Sequence, residues 1–419
     1  MTFGLSAPAE VLVGVAWAAV VLWLTGAFLT LRGIGRQKPL APVSRFRLAE
    51  GDAPLVSILV PARNEERRIL ARAVRSMLAQ DYEPLEIIAV NDRSIDDTGP
   101  ILHSIARRDA RLRVVEGAEP PRGWLGKPHA LKQALDEARG SWILATDADM
   151  IFAPEALGTA LRRALEMRLD AVTLIPRVEC LTFWERVFMP AFGWFMMMGM
   201  PLERVNDPEK PEAIGVGGFF LIKRRVLERV GAFASVRDEV AEDLRMAEIL
   251  KAAGARIRVE YAPDLTRTRM QTNFGEIWEG FTKNLFAGLK FSIWRALAGG
   301  TAILLFSVAP PIVALVCALL IAAGQGGELS KLLFVPALAV WLIQVVAFGA
   351  VNFISGVPVA YALTAPLGHA VFVAILFNST ARIATGSGVT WKGRKLYERE
   401  GVKPPSGSKP TTDLPFADE

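Results

Sequence analysis

The stretch LATDADMIF (residues 144–152) follows the apolar run Trp142 to Leu144 and sets two carboxylates, Asp147 and Asp149, one residue apart. Two acids this close at the end of a buried strand repel each other, so a compensating charge is required. A helix cap needs one such side chain, not two. Mg2+ or Mn2+ removes the difficulty, because these ions prefer oxygen ligands, take one or two carboxylates, and fill their other positions with water and substrate phosphates. The pair therefore points to a metal that holds a diphosphate.

Around this stretch the chain alternates between strand and helix patterns. Leu55 to Val60 is predicted as a buried strand, followed by a helix from Glu66 to Ala79 with Ile69, Val74 and Leu78 on its apolar side. Glu86 to Val90, Arg113 to Val115 and Ser141 to Ala145 continue as strands; Asp96 to Arg108, Pro128 to Ala138 and Pro154 to Met167 continue as helices. This order predicts an α/β fold with a parallel sheet and helices on both faces. Ligands of such sheets bind beyond the carboxyl ends of the strands. There stand Pro61, Arg63, Asn64 and Glu65 after the first strand, Asp92 after the second, and Asp147 with Asp149 after the fourth. For Asn64 and Asp96 a turn or cap role competes with a ligand role.

Composition adds a membrane part. The 419 residues are 52% apolar, with a net charge of +5 and a mean hydropathy of +0.30. Val11 to Leu31 is uncharged and long enough to span, since a helix needs about 20 residues to cross the hydrocarbon core. The only charge before it is Glu10, which fits an anchor rather than a cleaved leader. Arg32, Arg36, Lys38, Arg45 and Arg47 follow, and such a cluster is retained on the cytoplasmic side, so residues 50–290 are expected to face the cytoplasm at the inner membrane. Three more apolar runs, Ala296 to Ala323, Leu332 to Ile354 and Val357 to Phe377, make the chain multi-pass, and Pro310 with Pro311 should kink the first of them. Three crossings would put the tail outside, whereas Arg382, Lys392, Arg394, Lys395 and Arg399 argue for the inside; one run is therefore expected to be re-entrant.

Between the soluble part and these runs, Phe274, Ile277, Trp278, Phe281, Leu285 and Leu289 recur at helical spacing among Lys283, Lys290 and Arg295, as in a helix lying in the membrane interface. The stripe at residues 183–200, with Trp184, Phe188, Phe192 and Phe195, suits either core packing or guidance of a lipid. Cys180 and Cys317 imply no disulfide framework, and His103, His129 and His369 lack zinc spacing. Nothing resembles a nucleic-acid-binding motif.

The motifs VSILVPARNEE, IIAVNDRSIDDT, GWLGKPHAL, ATDADM, GVGGFFLIKRRVLERVGAF and AEDLRMAEILKAAG stand in the order seen in family 2 glycosyltransferases of the GT-A fold. The chain resembles their membrane-bound, lipid-directed branch, including hopanoid-associated and carotenoid glycosyltransferases and, more distantly, ceramide glucosyltransferase. Apolar length and spacing give an anchor and basic linker over 1–49, an interfacial helix over 269–295, membrane helices over 296–380 and a basic tail over 381–419, whose Pro, Ser and Gly content beyond Lys403 predicts a disordered end; the resemblance implies a GT-A domain over residues 50–268. It implies a nucleotide-sugar donor, a UDP-sugar, and a lipid acceptor. Glu65 and Asp92 would bind the nucleoside, Asp149 would ligate the metal with Asp147 beside it, and Lys127, in a loop opened by Gly123 and Gly126, would face the diphosphate. Asp243 would be the base of an inverting displacement, with Glu242 as the alternative. Gly217 and Gly218 would let the backbone approach the sugar. Processive members carry Q-x-x-R-W downstream of the base; here the region reads IWEGFTKNLFAG, with Trp278, Lys283 and Asn284 assigned to the acceptor side, which favours transfer of one sugar. The tail TWKGRKLYERE resembles the W-x-G-R-x-Y ending of this branch. A processive polysaccharide synthase and an inactive nucleotide-sugar-binding membrane protein remain as alternatives.

Overall fold

The computed structural model describes residues 6–44, 53–66, 69–391 and 393–398. Arg45, Arg47, the boundary at residues 49–50, Lys392, Arg399 and the end beyond Lys403 lie outside them. The chain divides into two compact units: residues 37–179, 200–270 and the tail from Thr385 form one, and residues up to Arg36, 180–199 and 271–384 form the other.

The strands of the first unit are, in chain order, β1 (Val56–Ala62), β2 (Leu85–Asn91), β3 (Leu112–Glu116), β4 (Trp142–Ala145), β5 (Met150–Phe152), β6 (Ala171–Ile175), β7 (Arg177–Val178), β8 (Phe220–Lys223), β9 (Ile257–Tyr261), β10 (Thr266–Thr268), β11 (Ser387–Trp391) and β12 (Arg394–Glu398). Seven of them make the main sheet in the order β3-β2-β1-β4-β8-β6-β9. Alternate residues of β1 feed its two faces, as the period of a strand demands. Ile58 and Val60 join the cluster of Met77, Leu102, Leu157 and Leu161, while Leu59 joins that of Leu131, Ala134 and Leu250. Helices thus cover both faces, and the central strands read as apolar runs because neither face is wet.

The sheet is mixed, which corrects the expectation of parallel strands throughout. β8 runs antiparallel to both β4 and β6. The reason is its connection: β6 ends and β8 begins at the same edge of the sheet, so the chain enters β8 without the return crossover that a parallel neighbour requires. The turn before β8, which carries Gly217 and Gly218, is thereby placed at the carboxyl end of β4. β1 lies between β2 and β4, so strand order reverses there and opens the crevice where ligands of such sheets bind.

Among the described residues, four helical segments of the second unit are long and apolar enough to cross a membrane: Ala7–Arg36, Ile293–Ala322, Glu328–Ser355 and Val359–Ala384. The second is interrupted by a π-helical turn, Leu304–Val308, directly before Pro310 and Pro311. In an unbroken α-helix the N–H groups of residues 310 and 311 would bond the carbonyls of Phe306 and Ser307, and proline has none to offer. Two side chains replace them. Trp23 Nε1 donates to Phe306 O at 2.8 Å, and Gln344 Nε2 donates to Ser307 O at 2.9 Å. Apolar surroundings cannot satisfy such carbonyls, which explains a fully buried glutamine in an otherwise apolar helix.

The helix Phe274–Gly288 turns part of its apolar stripe inward. Ile277, Phe281 and Leu285 are buried, and Ser379 and Asn378 of the helix Ala365–Ala384 bond Thr282 O and Thr282 Oγ1. The aromatic stripe of the helix Phe183–Gly199 packs within the unit too: Phe188 and Trp194 are fully buried, and Trp194 stacks on Trp23 at 5.7 Å.

Trp23→Phe keeps a ring in this stack but strands the Phe306 carbonyl. Hydrogen bonds among membrane helices are worth about 1 kcal/mol, so the variant should melt a few degrees lower in detergent, with secondary structure unchanged by circular dichroism.

Candidate active site

Loops at the carboxyl ends of β1 and β2 are tied to each other before any ligand is considered. Asn64 takes a left-handed backbone, φ 50°, and its Oδ1 accepts the Ile95 N–H at 3.1 Å. The Asp96 carboxylate accepts the N–H groups of Glu66 and Thr98. For Asn64 and Asp96 the turn-forming role is therefore visible directly. Glu65 is buried, and its N–H donates to Thr98 Oγ1 at 2.7 Å. Pro61 lies within β1.

Asp92, 5% exposed, stands at the end of β2 inside a group of arginines. Arg93 donates to its Oδ1 through Nε and Nη2, at 3.2 and 3.1 Å. Arg394, from the tail, donates to its Oδ2 at 2.9 Å. Arg63 braces the same loop, donating from Nη1 to the carbonyls of Asp92 and Arg93 at 2.8 and 3.0 Å. Burial and the charge of Arg394 lower the pKa of Arg63.

The second cluster gathers around Lys127, the second residue of the helix Gly126–Glu137 rather than part of a loop. Its Nζ lies 2.7 Å from Asp147 Oδ1 and 2.5 Å from Glu242 Oε1. Asp243 beside it accepts the Gly217 N–H at Oδ2 (2.6 Å) and the Leu244 N–H at Oδ1 (2.8 Å). A Cβ placed on Gly217 would lie 2.9 Å from Asp243 Oδ2, 3.1 Å from Lys127 Nζ and 3.3 Å from Asp147 Oδ2, so three charged groups converge on this one glycine. Gly218 is equally constrained, by Met150 Sδ at 2.6 Å. Residues from the loop after β4, the helix at Gly126, the turn before β8 and the helix Glu242–Ala252 thus meet at one point. Behind it is a cavity of about 20 Å³ lined by Lys127, Thr146, Gly217, Glu242 and Asp243, room for one water.

Burial by itself would depress the pKa of Lys127, but the charges of Asp147, Glu242 and Asp243 outweigh it and hold the ammonium well above its ordinary range. Burial raises the pKa of Glu242 despite Lys127. One ammonium faces three carboxylates, so the cluster keeps room for more positive charge. Among the described residues no group of three or more His, Cys, Asp or Glu is arranged to hold a metal ion. Mg2+ and Mn2+ do not require one, because substrate phosphates supply ligands beside one or two carboxylates. The partly exposed pair Asp147 and Asp149, with its excess of negative charge, fits that donor set.

Trp278, Lys283 and Asn284 belong to the other unit, on the helix Phe274–Gly288, and are not gathered with these groups within one unit. The Trp278 ring lies 5.8 Å from that of Phe274. Arg93 and Arg394 escaped the assignment from sequence. The tail motif carried the signal for Arg394, but nothing in the chain told which acid it meets.

Residues 57–231 match the family model described as Glycosyl transferase family 2. This segment is a family 2 glycosyltransferase domain. It resembles the 4,4'-diaponeurosporenoate glycosyltransferase of Staphylococcus aureus strain bovine RF122 / ET3-1, 26% identical over 249 residues, which cover 59% of this chain and 62% of that protein. The counterpart from strain USA300 is 26% identical over 250 residues, with the same coverage. The match spans about three fifths of the length of these curated relatives. A mannosyltransferase from Pyrobaculum calidifontis, solved in complex with GDP-Man and Mn2+, superposes with a TM-score of 0.53 at 19% identity over 86% of this chain and 99% of that one. The glycosyltransferase domain accordingly has the GT-A fold.

Removing the ammonium exposes the balance it keeps. In Lys127→Ala the buried Glu242, whose folded pKa is already raised, loses the partner that lowers it, so its ionised form opposes folding above the ordinary carboxylate range. The variant should melt below wild type at neutral pH, and the deficit should shrink as pH falls through the raised Glu242 pKa. Melting curves against pH check this; a pH-independent deficit would rule out the charge argument.

Proposed function

We propose that the protein transfers a single sugar from a nucleoside-diphosphate sugar, a UDP-sugar, to a membrane lipid acceptor, with inversion at the anomeric carbon. The convergence of Asp147, Lys127 and Asp243 on Gly217, with Glu242 on Lys127, carries this reading. The similarity to enzymes named for a carotenoid acceptor supports a lipid, and the donor and ion named for the Pyrobaculum calidifontis structure support a nucleotide sugar with a divalent cation.

Glu65 and Asp92 take the nucleoside as hydrogen-bond acceptors. Pro61, Arg63 and Asn64 shape that pocket, and Gly217 and Gly218 leave room beside the sugar. Mg2+ or Mn2+, held by Asp147 and Asp149 with the donor phosphates, would supply neutralising charge at the diphosphate. Asp243 is the base. Each of its oxygens accepts one backbone N–H and keeps a second lone pair, so it can take the acceptor hydroxyl proton while the acceptor oxygen bonds to the anomeric carbon and the bond to the diphosphate breaks. Glu242 is the poorer candidate because Lys127 occupies it. Trp278, Lys283 and Asn284 stay assigned to the acceptor side.

Membranes incubated with a panel of radiolabelled nucleotide sugars, then extracted for lipid, test the activity; label should enter the lipid fraction and fall when the divalent ion is chelated. Absence of label with every sugar, or label in long polymer, would reject single transfer to lipid. Asp243→Asn should cut transfer by about 10² to 10⁴, the usual contribution of a general base, with donor binding nearly unchanged in a titration.

The tail supports a reading of the membrane placement. β11 and β12 belong to the unit that holds the sheet, so the chain leaves that unit after Met270 and re-enters it at Thr385, and its crossings in between must be even in number. Three segments there are candidates. Val359–Ala384 is half buried within its unit, against 22% and 33% for the other two, and is the one that stays on the side of the sheet. Basic residues after the first helix put that side in the cytoplasm at the inner membrane. With Cys180 and Cys317 replaced by alanine, Glu328→Cys should react with an impermeant reagent in intact cells and Ser387→Cys only after lysis. Labelling of position 387 in intact cells would overturn the arrangement.

A further inference from the structure

Beyond the strand β9, the part of the chain that matters most to the first unit is its tail. β11 and β12 form a hairpin in which Thr390 pairs with Lys395 and Trp391 with Arg394. Gly393 in its turn has φ +76°, a left-handed conformation natural to glycine. Tyr397 is different. It too is left-handed, at φ +58°, which a bulky side chain adopts only where its surroundings over-determine it. Those surroundings are visible: the ring is 1% exposed, and the hydroxyl accepts the Val240 N–H at 3.2 Å and reaches Asp238 O at 3.5 Å. The segment it grips leads directly into Glu242 and Asp243.

Three residues earlier, Arg394 grips the other end of the site. Its Nη1 donates to Asp92 Oδ2 at 2.9 Å, and its Nη2 lies 3.4 Å from Oδ1. The helix that carries Lys127 leaves this contact room by starting with glycine: a Cβ on Gly126 would meet Arg394 Nη1 and crowd Asp92 Oδ2. One strand therefore touches the nucleoside acid with one residue and the loop before the acid pair with another, at a sequence distance of some 300 and 160 residues.

We infer that the C-terminal hairpin is an integral part of the transferase site, in which Arg394 is a positioning residue that aims Asp92 at the nucleoside and Tyr397 is a positioning residue that holds the loop bearing Glu242 and Asp243. This rests on the glycosyl-transfer reading and deepens it. Asp92 carries acceptor sites for several donors and already receives Arg93 on Oδ1, so Arg394 on Oδ2 fixes the carboxylate plane from the opposite side. A bidentate-capable guanidinium does this with a geometric precision that a lysine lacks.

The test uses the full-length protein in detergent with Mn2+, and reads nucleoside-diphosphate binding by titration alongside donor KM and kcat. Arg394→Ala should weaken binding by about tenfold or more, the usual loss when a hydrogen bond to a charged group is removed. Arg394→Lys should recover part of it. In an Asp92→Asn background, Arg394→Ala should add little, because it acts through that acid. Tyr397→Phe, which keeps the ring in place, should lower kcat while leaving donor binding unchanged. Melting temperatures of all five variants separate folding from function. If Arg394→Ala binds and turns over donor as wild type does, or if its effect is as large with Asp92→Asn as without, the hairpin has no role in the site. If wild type itself binds no nucleoside diphosphate, the glycosyl-transfer reading fails first, and at the control rather than at the variant.

Discussion

The ammonium of Lys127 is the interaction on which the catalytic unit depends. Three carboxylates from two separate segments, Asp147 from one and the neighbours Glu242 and Asp243 from the other, approach the same small volume, and in a half-buried site their repulsion would push those segments apart. Lys127 makes the approach tolerable without cancelling it. The remaining negative charge is of the kind a divalent cation could balance, and the backbone N–H groups of Gly217 and Leu244 spread the charge of Asp243 without consuming all of its lone pairs.

Around this balance the fold supplies position. The reversed strand β8 brings Gly217 to the end of β4, and absence of a side chain there leaves the space in which the charged groups meet. The arginines around Asp92 play the corresponding role at the end of β2, where a nearly buried acid is oriented by guanidinium groups on two sides.

The second unit solves a different problem with the same rule that buried polar groups need partners. Pro310 and Pro311 remove two donors from a helix in apolar surroundings, and Trp23 and Gln344, from two other helices, return them. A break that would destabilise a lone helix becomes a fixed point at which three helices are registered.

Much of this was legible in the chain. The apolar runs around Ile58, Ile87 and Leu144 have the composition of strands buried on both faces, the acids after them fall where such sheets bind ligands, and the four long apolar helices need only composition and length. Pro310 and Pro311 announced an interruption because proline lacks an N–H whatever surrounds it. What periodicity cannot carry is direction and partnership. The antiparallel course of β8 depends on where its connection runs, the inward use of the stripe at Ile277, Phe281 and Leu285 depends on a helix that comes about 90 residues later, and the pairing of Lys127 with Glu242 or of Arg394 with Asp92 joins charges far apart in sequence. Local patterns determine which residues are buried and which are charged; only the tertiary structure decides which charge meets which, because electrostatic and hydrogen-bond energies depend on distances of a few ångströms that no spacing along the chain encodes.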